Sequence, residues 1–168
     1  GLTRQEGARC HRIEPNDWSV ILVSTFLNDS PVFGPVKSRR LGVSLGVNLM
    51  PATGKICTFD CLYCENGLNA QRRTRDGYND AQTVLNSLEA RLRQMAAEGE
   101  LPDVITFAGN GEPTASPAFP EAIRGAVRLR DELAPAAKIA VLSNGTRAAV
   151  PEVHDALMLV DDNILKLD

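Results

Sequence analysis

Residues 42–64 read G-V-S-L-G-V-N-L-M-P-A-T-G-K-I-C-T-F-D-C-L-Y-C, an apolar stretch closed by Pro51 and followed by a loop that carries three cysteines. Gly42 to Met50 is the first strand candidate, because a short apolar run bounded by turn residues suits a buried strand. Downstream, Ala81 to Glu98 places Val84, Leu85, Leu88, Leu92 and Met95 on one helical face, with Asp80 as N-cap and Gly99 as stop. Val104 to Ala108 then reads as a buried strand, and Ser116 with Pro117 opens a helix that runs to the neighbourhood of Leu133. Lys138 to Leu142 is the third strand, Pro151 starts a third helix, and Asn163 to Leu167 is the fourth strand. The alternation is β-α-β-α-β-α-β, the pattern of a parallel sheet covered by helices.

Right-handed connections of this kind bring the loops after successive strands to one end of the sheet, where ligands bind in α/β folds. Four segments are expected there: the cysteine loop, Gly109 to Thr114, Ser143 to Thr146, and Lys166 to Asp168. Upstream, residues 1–30 carry Trp18 and the short apolar run Val20 to Val23 without periodicity, and read as an N-terminal appendage to a core of residues 31–168.

The chain has 168 residues, 43% hydrophobic and 23% charged, which is the composition of a globular domain. A net charge of −3 gives no overall drive toward nucleic acid or acidic membranes. No apolar run is long enough for a membrane helix, and no secretory signal pattern opens the chain, so a cytoplasmic protein without membrane partners is expected. Of the four cysteines, Cys57, Cys61 and Cys64 crowd into one loop, which favours metal ligation over disulfides.

Residues 55–67, K-I-C-T-F-D-C-L-Y-C-E-N-G, have C-x3-C-x2-C spacing. Three thiolates on one loop can bind three irons of a [4Fe–4S] cubane and leave the fourth open to an exogenous ligand. Three other readings compete. The cysteines can be a core stripe on one helical face, or part of a zinc site completed by Cys10, His11 or His154. A redox dithiol of Cys61 and Cys64 would leave Cys57 unexplained.

With aromatic Tyr63 before the last cysteine, this loop resembles that of the radical S-adenosylmethionine superfamily. Residues 34–49, G-P-V-K-S-R-R-L-G-V-S-L-G-V-N-L, further resemble iron–sulfur oxidoreductases related to tRNA wybutosine-synthesis enzymes; the likeness runs from Phe33 to Asp168. It implies a partial (β/α)6 TIM-like barrel with about four parallel strands and its C-terminal part missing. It also implies S-adenosylmethionine chelated to the open iron, its reductive cleavage to a 5′-deoxyadenosyl radical, and an electron donor such as flavodoxin or ferredoxin. Hydrogen abstraction from a substrate would follow, with RNA modification as one candidate. The runner-up readings are a non-catalytic iron–sulfur electron-transfer or redox-sensing protein and a zinc-stabilised binding module.

The same resemblance assigns cofactor contacts. F-A-G-N-G-E-P-T at residues 107–114 looks like the family's Gly-Gly-Glu motif, so Gly109, Asn110 and Gly111 would approach the cofactor and Glu112 would accept from its methionyl ammonium. Ser143 and Asn144 in V-L-S-N-G-T suit ribose or carboxylate contacts, although Asn-Gly is also simple turn chemistry. Tyr63 is expected near the adenine, and Lys166 and Asp168 at a barrel mouth. Lys37, Arg39 and Arg40, with Arg72, Arg73 and Arg75, either flank the site for a phosphate-bearing substrate or form a solvated face. At the start, Ser24 to Leu27 extends the likeness weakly, and Val23 can be a GTG start codon read internally, which would make Gly1 to Leu22 upstream sequence.

Overall fold

The computed structural model describes residues 25–166. Trp18, Val20 to Val23, the candidate zinc ligands Cys10 and His11, Leu167 and Asp168 lie outside the described residues.

Five strands form one open sheet in the order β1 (Val32–Ser38), β2 (Gly42–Val47), β3 (Val104–Phe107), β4 (Lys138–Ser143) and β5 (Asp162–Leu165). β2 to β5 are parallel to their neighbours, whereas β1 pairs antiparallel with β2. This corrects the expected partial barrel of four parallel strands: the architecture is a mixed sheet with an antiparallel edge strand. β1 was invisible to periodicity because Gly34 and Pro35 stand in its middle, where the register with β2 shifts between Phe33 and Val36. Proline cannot donate to a ladder, so such a strand survives only at an edge. Its turn is tied by Ser38, whose Oγ accepts from the Arg40 and Leu41 amides at 3.3 and 3.2 Å.

Three helices, α2 (Ala81–Glu98), α3 (Phe119–Leu133) and α4 (Pro151–Leu157), join successive parallel strands and pack side by side. A four-residue turn of helix, α1 (Asn69–Arg72), follows the cysteines. α2 begins where the sequence predicts, with Asp80 accepting from the Thr83 amide, and ends at Gly99. α3 starts later than predicted, at Phe119, because Ser116 to Ala118 form a turn in which Ser116 Oγ accepts from the Ala118 amide at 3.2 Å. Strand side chains alternate in direction. Leu45, Val47, Ile105, Phe107, Ile139 and Val141 therefore share the core with Val84, Leu88, Leu92, Ile123 and Ala126 of the helices. On the other face, the Phe33 ring occupies the space a side chain at Gly46 would need.

Asp161 locks α3 to the N-terminal side of the β4–β5 pair. Its Oδ2 accepts from the Ile139 amide at 2.7 Å and from Arg130 Nη1 at 2.9 Å. The Ile139 bond first, and then Arg130, hold its carboxyl below the usual aspartate range, against the opposing effect of burial.

Leu88→Ala removes a fully buried side chain between α2 and the sheet and should cost about 2–5 kcal/mol in urea unfolding. Asp161→Ala should lower the melting temperature at neutral pH. Because the folded-state pKa is depressed, that stabilisation is fully present above the ordinary value of about 3.9 and is lost as pH falls through the lower folded value. The gap between the two melting curves should therefore close in acid, and a gap independent of pH would contradict this role.

Candidate functional site

β2, β3 and β4 all end at one edge of the sheet, and their loops interlock there through backbone bonds. The Ile56 amide donates to Asn110 O and the Glu112 amide to Ile56 O, both at 3.0 Å, so the start of the cysteine loop runs as a bridge alongside Gly111. Gly111 has φ +142°, and a Cβ there would stand 1.8 Å from Ile56 O; at Gly109, φ +133°, it would meet Asn48 Oδ1 at 2.4 Å. Only glycine combines that backbone conformation with so close an approach. The neighbours met by these glycines are the protein's own loops.

Glu112 is buried, at 3% exposure. Its Oε1 accepts from the Thr114 amide (3.1 Å), Thr114 Oγ1 (2.6 Å) and Ser143 Oγ (2.7 Å), and its Oε2 from the Asn144 amide (2.7 Å). Four neutral donors thus satisfy one carboxylate, three on Oε1 and one on Oε2. Each carboxylate oxygen carries two lone pairs, so Oε2, with its single donor, has one acceptor position left. Asn144 continues the chain of contacts: its Nδ2 donates to Thr58 Oγ1 at 2.8 Å and approaches Cys57 Sγ at 3.9 Å. Thr58 in turn bonds Thr146, Oγ1 to Oγ1, at 2.8 Å.

The structure therefore brings together Cys57, Gly111, Glu112, Ser143 and Asn144. Asn110 is also at this edge but wholly enclosed, its amide group spent on Asn28 O (2.8 Å), Pro51 O (3.0 Å) and the Asn28 amide (2.7 Å). Tyr63 stands 60% exposed on the loop with Lys166 Nζ 5.9 Å from its ring centre. Arg72 lies at the cysteine loop, where its guanidinium donates to Thr25 Oγ1 and its carbonyl accepts from the Lys55 amide. Lys37, Arg39 and Arg40 do not join it: they sit at the β1–β2 turn, which pairs with Gly42 and Val43 at the opposite end of the sheet.

Cys57, Cys61 and Cys64 are free thiols, each half-buried. Burial pushes the Cys57 thiol up, countered by the Phe59 backbone N–H and by Lys55, with Glu112 and Cys64 raising it further. As a donor set, three thiols on one loop fit a soft metal or an iron–sulfur cluster. Among the described residues, however, no three His, Cys, Asp or Glu side chains converge on one point as a formed metal site would require.

Comparison with known proteins corrects the expected family. A UPF0026 protein of Helicobacter pylori is 35% identical over 141 residues, covering 84% of this chain and 43% of the relative. A UPF0026 protein of Methanocaldococcus jannaschii is 33% identical over 138 residues, covering 81% and 40%. The chain is similar to UPF0026 proteins. It spans less than half the length of these relatives. A protein named GTPase Obg, from Brachyspira hyodysenteriae, is 30% identical over 142 residues, but these are 19% of its length. The present sequence has no G-x-x-x-x-G-K-[ST] phosphate loop. No family model and no solved structure matches. These relatives are UPF0026 proteins, not radical S-adenosylmethionine enzymes, and this overturns both the family expected from the cysteine loop and the radical, oxidoreductase reaction inferred through it. With no converged ligand group among the described residues, the comparisons likewise lend no support to the iron–sulfur electron-transfer and zinc-module readings as functions. No described helix is long and apolar enough to cross a membrane.

Sequence reasoning missed Lys55, Asn48 and Thr114. Lys55 is 2% exposed and Asn48 0%; both are residue types whose default reading is solvent. A lysine set two positions before the first cysteine of a three-cysteine loop was the available signal.

Glu112→Gln presents an NH2 group to at least one of the present donors and leaves that donor without its acceptor. The variant should lose about 1–3 kcal/mol of stability, read as a lower urea midpoint. An unchanged midpoint would remove the carboxylate as the link between the loops.

Proposed function

We propose that this end of the sheet is a cofactor-binding site with two halves. Cys57, Cys61 and Cys64 would hold a [4Fe–4S] cluster, and the cup of Glu112, Ser143 and Asn144 would hold the polar end of S-adenosylmethionine. The reading concerns binding alone. The observation that carries it is Asn144, whose backbone N–H bonds the Glu112 carboxylate at 2.7 Å while its side chain approaches Cys57 Sγ at 3.9 Å. One residue thus spans both halves.

Each half has donor chemistry suited to its ligand. A cluster held by three protein thiolates supplies one-electron redox chemistry and an iron open to an exogenous chelate. Oε2 of Glu112 has capacity for an ammonium donor, and a charge-assisted bond in a buried setting is about twice as strong as a neutral one. Asn144 Nδ2 beside Cys57 Sγ offers a weak donor to sulfur, the kind of outer contact that tunes a metal–thiolate site. Loading would require the three thiols to turn toward a common point. Cys61 and Cys64 stand half-buried on a surface loop, which leaves them room to do so. A flavodoxin-like or ferredoxin-like electron donor is the partner such a cluster would need.

Anaerobic reconstitution with ferrous iron and sulfide, followed by iron and sulfide analysis, tests the first half. Stoichiometric iron and sulfide are expected in the wild type and in Cys10→Ala, with loss in Cys57→Ala, Cys61→Ala and Cys64→Ala. Full iron in Cys61→Ala, or stoichiometric zinc without sulfide in the purified wild type, would overturn the cluster. Equilibrium dialysis against labelled S-adenosylmethionine tests the second half: Glu112→Gln should keep its iron and lose about 1.5–3 kcal/mol of binding, and equal affinity would take Glu112 out of the site.

A further inference from the structure

Within the cysteine loop one side chain is out of character. Lys55 is buried, with a side chain 1% exposed, although lysine is among the residues least often fully buried. Its Nζ donates to Gly67 O at 2.7 Å and lies 3.6 Å from Asp60 Oδ1. The Asp60 carboxylate also accepts from the Asn69 amide at 2.7 Å, and Asn69 Nδ2 returns to Phe59 O at 3.0 Å. From the other side, the Lys55 amide donates to Arg72 O at 2.7 Å. Gly67 N bonds Cys64 O at 2.9 Å, and Cys64 N bonds Cys61 O at 3.1 Å. The contacts of this one residue therefore reach the start, the middle and the end of residues 55–67, with all three cysteines on the arc between them.

We propose that Lys55 is the positioning residue of the thiol loop, closing residues 55–67 into a ring around its own side chain before any metal enters. The inference rests on the reading of Cys57, Cys61 and Cys64 as ligands, and gives that loop its organising group. A solvated lysine would leave a thirteen-residue segment with few internal ties. The buried one supplies a donor to a carbonyl beyond the last cysteine and a partner to a carboxylate between the first two. A lysine amine has three donors and no acceptor when charged, so one head group can serve several loop positions at once.

The test uses the full 168-residue chain, metal-free and reduced, as wild type, Lys55→Met and Asp60→Ala. Iodoacetamide alkylation is followed cysteine by cysteine by mass spectrometry, with circular dichroism and melting temperature as the check on folding. In folded variants the rates at Cys57, Cys61 and Cys64 should change by more than about threefold, since loosening the loop changes access to its half-buried thiols, while Cys10 should not change. Rates equal to wild type would overturn the proposal. Should Lys55→Met fail to fold, Asp60→Ala decides, because Asp60 is half exposed and its removal spares the core. A separate titration with cobalt(II) follows the sulfur-to-metal absorption. About tenfold weaker binding in the folded variants is the size expected for loss of an outer-sphere support, and undiminished binding would count against the role. A wild type that binds neither cobalt nor iron would sink the metal reading alone, and the alkylation rates would still judge Lys55.

Discussion

The buried carboxylate of Glu112 is the constraint on which the functional end of this sheet depends. Taking a charge out of water is costly unless hydrogen bonds replace the lost hydration. Here the replacement comes from Thr114 in its own turn and from Ser143 and Asn144 after β4. Its backbone N–H binds Ile56 on the cysteine loop. Three loops distant in sequence are held to one residue. Ser143 and Asn144 are therefore engaged within the fold through Glu112, and any ligand at this edge meets a surface already set.

A second polar layer lies behind the first. Asn48 accepts from the amides of Met50 and Asn110, and Asn110 spends its own side chain on Asn28 and Pro51. Thr25 to Asn28 is thereby laced to the core, with Phe26 bonded to Glu65 and Asn66 just after Cys64. The helix-facing side of the sheet is different, where the apolar side chains Leu45, Val47, Ile105, Phe107, Ile139 and Val141 of β2 to β4 pack with those of α2 and α3. Apolar packing makes the platform, and directional polar bonds shape the end of it.

The cysteine spacing speaks to ligand chemistry and not to a reaction. Three thiols in C-x3-C-x2-C spacing state which metals a loop favours, because softness and ligand number are properties of the side chains. They do not state a reaction, and the similar proteins are UPF0026 proteins rather than the enzymes the spacing suggested. Of the two readings of the basic residues, the solvated face fits Lys37, Arg39 and Arg40, which are exposed. Lys37, Arg39 and Arg40 stand close in sequence to β2, whose far end leads into the cysteine loop, yet an antiparallel turn carries them to the other end of the sheet.

By itself the sequence determined the elements whose signals are local. The 3.6-residue stripe and the Asp80 cap mark α2 from Ala81 to Glu98, and the run from Val104 to Ala108 marks the strand that the structure forms over Val104–Phe107. Each depends on neighbours within a few positions, where periodicity and capping act. Only the tertiary structure decided that Val32 to Ser38 is an edge strand despite Pro35, because pairing with β2 outweighs an interrupted pattern. Tertiary contact likewise decided that Asn110 is a clamp, that Lys55 is buried, and that Glu112 joins three loops. Those roles are set by partners 12 to 82 positions away, and burial, which converts a polar side chain from a solvated group into a structural one, has no local signature.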